Sequence, residues 1–76
     1  MNDKRRKELA AIKSQVEELA SRVEAVRDDE QDALNNMPES LQDAANGEKS
    51  RDAVSALEDA ITSLENAATE LETAAE

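Results

Sequence analysis

The chain has 76 residues, with 19 acidic and 9 basic side chains for a net charge of −10, and no cysteine, histidine or aromatic residue. That composition excludes disulfide scaffolds, thiol or Cys/His metal sites and base stacking on aromatic platforms. No apolar run approaches the roughly 18 residues of a membrane span, and no secretory leader opens the chain, so a cytoplasmic location is expected.

The first element is a long helix over about residues 3–35. Large apolar residues fall at Leu9, Ile12, Val16, Leu19, Val23 and Val26, with spacings that alternate between three and four. This is the a/d seam of a heptad pattern. Beyond Val26 the next seam position is the charged Glu30, and Leu34, Met37 and Leu41 leave the register. They are expected to close the end of the structure as a small apolar cap. A turn follows over about 36–46. Pro38 cannot sit inside a helix and biases Met37 away from helical geometry. It suits the start of a short helical segment, PESLQDAA, with Asn36 or Met37 near the cap.

Asn46-Gly47 is the next break. Asn46 is expected to cap a second helix over about 47–75, with Glu48 in its first turn, where the helix dipole favours it. The second seam runs through Val54, Leu57, Ile61, Leu64, Ala68, Leu71 and Ala75, and the heptads DAVSALE, DAITSLE and NAATELE repeat visibly. The expected fold is therefore all-α: one domain spanning 1–76, an antiparallel two-helix hairpin of coiled-coil type. Folding the chain about Ser40 pairs Leu9 with Leu71, Ile12 with Ala68, Val16 with Leu64, Leu19 with Ile61, Val23 with Leu57 and Val26 with Val54. Charge favours the same topology. Residues 1–27 are net +2 and residues 28–76 net −12, and the hairpin sets the basic run Lys4–Lys7 beside Glu70, Glu72 and Glu76. Each surface pair contributes only about 0–1 kcal/mol, but together they discriminate antiparallel from parallel packing.

A core for one hairpin is scarce. Fourteen alanines leave 15 larger apolar side chains: seven Leu, four Val, two Ile and two Met. Chains this small normally need disulfides, metals or a partner. Ala53, Ala60, Ala67 and Ala74 recur every seven residues beside the seam of the second helix, and small side chains permit close approach of another helix. A homodimer forming a four-helix bundle is the expected state, with this alanine face as its interface.

Candidate functional residues divide into three groups. The turn residues Asn35, Asn36, Met37, Pro38, Glu39, Leu41 and Gln42 form a possible docking element. Asp52, Asp59, Glu65 and Glu70 give the second helix an acidic face that could stand in for a phosphate backbone toward a basic protein. Arg27, Lys49 and Arg51 gather near the turn and the second helix, where free backbone N–H groups favour anions such as a small nucleotide. No catalytic residue, metal site or cofactor is expected, because nucleophile-and-base constellations rest mainly on His or Cys and the EF-hand spacing is absent around Asp28, Asp29, Glu30 and Asp32. Nucleic-acid binding through Lys4–Lys7 is disfavoured by the acidic remainder of the chain.

The turn also carries a resemblance. Asn36, Pro38, Glu39, Leu41 and Gln42 form an N-x-P-E-x-L-Q motif, with Gly47-Glu48 just beyond it. This pattern, after a basic start, resembles small acidic helical-hairpin proteins of bacteriophages and prophages, to which no activity is assigned. The resemblance implies a viral or mobile-element origin and action in the host cytoplasm by binding. The expected function is a non-catalytic interaction protein that inhibits a host defence or regulatory protein. The alternatives are an oligomeric sponge for a nucleotide signal and a structural scaffold subunit.

Overall fold

A computed structural model describes the whole chain, Met1 to Glu76. It is all-helical: α1 spans Asp3–Asn35, α2 is the single turn Glu39–Gln42, and α3 spans Ala45–Ala74. The molecule measures 58 × 14 × 11 Å. Its two long helices lie antiparallel, since the Arg6 Nε–H donates to the Ala75 carbonyl at 3.1 Å and Lys13 Nζ lies 3.4 Å from Glu72 Oε2. No helix is long and apolar enough to cross a membrane.

The ends of the helices follow local chemistry. Asn2 caps α1, its side-chain oxygen accepting from the Arg5 N–H at 2.8 Å, and Asp3 sits in the positive first turn. At the other end Asn36 keeps a right-handed backbone and donates to Asp32 and Leu34 carbonyls. Pro38 then stops the helix. Its extended backbone opens α2, and its carbonyl accepts from Leu41 and Gln42 at 2.8 and 3.0 Å.

α3 starts two residues before the expected point. Ala44, not Asn46, is the N-cap, and no side chain bonds to the free N–H groups there. Asn46 and Gly47 lie inside the first turn. The expected short helix PESLQDAA is cut to ESLQ, because Asp43 and Ala44 form the corner between α2 and α3. An uncapped, extended N-cap position leads to a prediction. Ala44→Ser should stabilise the protein by about 1 kcal/mol, a rise of some 4–8 °C in melting temperature for a chain of this size. Thermal melting followed by circular dichroism measures it.

The packing of α1 departs from the expected register. The buried or half-buried residues of α1 include Arg6, Leu9, Lys13, Val16, Ala20, Val23, Arg27 and Leu34, with Glu24, Glu30 and Gln31 also half-buried toward its C-terminal end. Leu9, Val16 and Val23 belong to the expected seam. Ile12, Leu19 and Val26 do not reach it: they are 44%, 45% and 55% exposed. The layers Ile12–Ala68, Leu19–Ile61 and Val26–Val54 are therefore not how the protomer packs. The column Arg6, Lys13, Ala20, Arg27 and Leu34 takes their place, with strict seven-residue spacing. Ala20 lets the helices approach, and the cations lay aliphatic stems along the seam while their heads reach polar partners. Arg6 reaches the C-terminal carbonyls of α3, Lys13 reaches Glu72, and Arg27 reaches Asp28 at 3.1 Å. Leu34, expected to leave the register, ends this column and is buried.

On α3 the repeat does set the core. Val54, Ile61 and Ala68 are buried, flanked by half-buried Leu57, Leu64 and Leu71. In all, only six residues are buried, five of them apolar side chains larger than glycine, which is little core for 76 residues.

Candidate functional site

The turn is held by a short polar network. The Gln42 side-chain amide donates to the Met37 carbonyl at 2.8 Å. The Gln42 carbonyl in turn accepts from Arg51 Nη1 at 2.7 Å. This ties α2 to the second turn of α3. Gln31 donates to the Asn35 side chain at 3.0 Å. Of the candidate turn residues, Met37 and Gln42 are half-buried while Asn35, Asn36, Pro38, Glu39 and Leu41 face outward. The expected apolar cap is therefore only partly formed: Leu34 is buried, Met37 half-buried, and Leu41 remains 48% exposed. Gln42 and Met37 serve the fold of the turn, and the outward residues are the ones free to touch a partner.

Of the three candidate anion-binding cations, two already have partners within the chain. Arg51 is committed to the Gln42 carbonyl, which closes the negative end of α2. Arg27 pairs with its neighbour Asp28. Lys49 makes no ion pair. The sequence, which saw only nearby positive charges, could not show that Arg51 was engaged.

The acidic candidates are all exposed, but they do not form one row. Asp52 and Asp59 share a column seven residues apart, and Glu70, eleven residues beyond Asp59, stays within about 20° of it on a straight helix. Glu65 turns instead into a groove between the long helices. That groove, of about 380 Å³, carries Lys13, Glu17, Glu24, Glu65 and Glu72 over a floor of Ala20, Leu64 and Ala68. Lys13 bridges Glu72 at 3.4 Å and Glu17 at 3.8 Å within it. Nowhere do three acidic side chains converge closely enough to hold a metal ion.

The opposite flank has the other character. Leu19, Val23, Val26 and Leu57 line a second groove of about 470 Å³, with Arg22 its one polar side chain. Ala53 and Ala60 lie four residues before and three after Leu57, so helix geometry places them along this same edge of α3. Ala53, Ala60 and Ala67 are half-buried and Ala74 is exposed. The hairpin as a unit is therefore two-sided, with one flank charged and one apolar. The alanine column was legible in the repeat. The exposed Ile12, Leu19 and Val26 beside it were not, because the heptad pattern placed them inside the protomer. Compared with known protein families, curated proteins and solved structures, the chain matches none.

Proposed function

We propose that this chain is a non-catalytic interaction protein. It self-associates into a homodimeric four-helix bundle and binds a protein partner through the surfaces the bundle leaves free. The observation that carries this reading is the apolar flank: three large aliphatic side chains of α1 stand 44–55% exposed on a chain that has only six buried residues. Water-exposed aliphatics at heptad spacing favour helix association: full burial of such a side chain contributes about 1.5–3 kcal/mol, and these have about half of that still to gain. Once that flank is covered, the outer surface consists of the turn and the carboxylates of α3.

A net charge of −10 suits a basic partner surface, such as a nucleic-acid groove. The resemblance of the turn to phage and prophage hairpins supports a partner in the host: a defence or regulatory protein that the dimer inhibits. Nucleotide sequestration has less support, since Arg51 and Arg27 already have partners.

Affinity capture from host extract tests the binding reading when wild type is compared with the triple variant Asp52→Lys, Asp59→Lys, Glu70→Lys. The wild-type chain should retain a partner at low salt and release it as the Debye length shrinks, and the triple variant should not retain it. A partner held equally by both proteins, or indifferent to salt, overturns the acidic-face reading.

A further inference from the structure

We propose that two copies of this chain join through the flank bearing Ile12, Leu19 and Val26, with these side chains of each copy packed against Ala67, Ala60 and Ala53 of the other. This rests on the self-association proposed above and names its surface and register. The two columns share one flank: Leu19 and Val26 line the same groove as Leu57, and the alanines flank Leu57 on α3. Each column repeats every seven residues. Because α1 and α3 are antiparallel, the large column descends as the small one ascends. A twofold axis parallel to the helices lays the large column of one copy over the small column of the other, three positions against three. Large side chains over small ones fill the space between helices without crowding. Such an isologous contact closes on itself and stops at two chains.

Area and charge select a second copy as the occupant. The chain exposes 5483 Å², whereas a compact monomer of 8.3 kDa exposes about 4600 Å². The excess of roughly 900 Å² matches the ~800 Å² each partner contributes to an ordinary interface. Lys4, Arg5 and Lys7 make no ion pair within the protomer. Of these, Arg5 continues the seven-residue column of Ile12, Leu19 and Val26, and in the proposed contact it lies beside the acidic C-terminal end of the other copy's α3, near Glu70. The opposite flank, with its glutamates, would set like charges against each other in any self-contact.

The chain has no cysteine, so introduced thiols report without background. Leu19→Cys and Ala60→Cys chains, distinguished by tag mass, are co-refolded and oxidised, and the Leu19→Cys chain is also paired with Ser55→Cys, on the outer side of α3. Disulfides require Cα atoms within about 7 Å. The Leu19–Ala60 heterodimer should therefore form faster than the Leu19–Ser55 pair by more than about tenfold, through the local concentration the dimer imposes. Leu19 is 45% exposed and Ala60 half-buried in the protomer, and circular dichroism checks that each variant folds. A wild-type dimer in which Leu19→Cys links mainly to itself, or in which neither thiol links, overturns this register but leaves self-association standing. A wild-type monomer overturns both.

Discussion

Placing an aspartate at Ile61 should unfold the chain at every protein concentration. Ile61 is the most deeply buried side chain, at 5% exposure. Truncating such a residue to alanine costs about 2–5 kcal/mol, and an unpaired carboxylate in its place adds a desolvation penalty of several more. A chain of 76 residues has about 4–11 kcal/mol in total, so the substitution exceeds or exhausts it. Leu19→Asp should behave differently, although Leu19 and Ile61 look alike in the heptad pattern. Leu19 is 45% exposed within the protomer, so its carboxylate stays in water until a second chain arrives. That variant should lose association, melt at a lower temperature, and show a melting temperature that no longer rises with concentration, as it must for a dimer. Circular dichroism melts at several concentrations separate the two. Equal collapse of both variants would mean that Leu19 lies as deep as Ile61, and the register of α1 described above would be wrong.

Gly47→Ala should lower stability, against the usual sign. Alanine in place of a helical glycine normally gains about 1 kcal/mol. Here a Cβ at residue 47 would clash with the Gln42 carbonyl oxygen and lie 2.5 Å from its carbon and 2.6 Å from its Cα. All three are backbone atoms of α2, held in turn by Arg51, so no side chain can swing aside. The first turn of α3 would have to lift from α2, and a backbone clash this close belongs at the upper end of the overpacking range, about 2–3 kcal/mol, a net loss of about 1–2 kcal/mol after the helix-propensity gain. The net expectation is a fall in melting temperature of roughly 5–15 °C. The backbone of Gly47 is not left-handed, so the glycine serves close approach rather than chirality. A melting temperature that rises in Gly47→Ala would show that the α2–α3 corner packs otherwise.

The hairpin and its turn were legible because few alternatives exist: one proline, one glycine and two uninterrupted heptad patterns leave little else to fold. The core column of α3 was legible too, since its repeat places Val54, Ile61 and Ala68 at one position. The register of α1 was not. Two adjacent columns, Ile12–Leu19–Val26 and Lys13–Ala20–Arg27, compete for the seam, and an apolar pattern ranks the first higher. Packing chose the second because Ala20 admits α3 closely and the stems of Lys13 and Arg27 can lie in the seam with their charges satisfied. Such a choice depends on what faces the helix, including a second copy, and no spacing rule contains it. The displaced apolar column then became the candidate interface, which the alanines alone had only half indicated. In the same way, Arg51 was visible as a charge, but its bond to the Gln42 carbonyl depends on the exact corner between α2 and α3.

As proposed above, the hairpin is half of a structure. Light-scattering mass of the purified wild-type chain, taken across a dilution series, addresses it most directly. A dimer gives twice the 8.3 kDa chain mass, falling toward one chain on dilution as helicity is lost. A mass of one chain, with full helicity retained at every concentration, would contradict it.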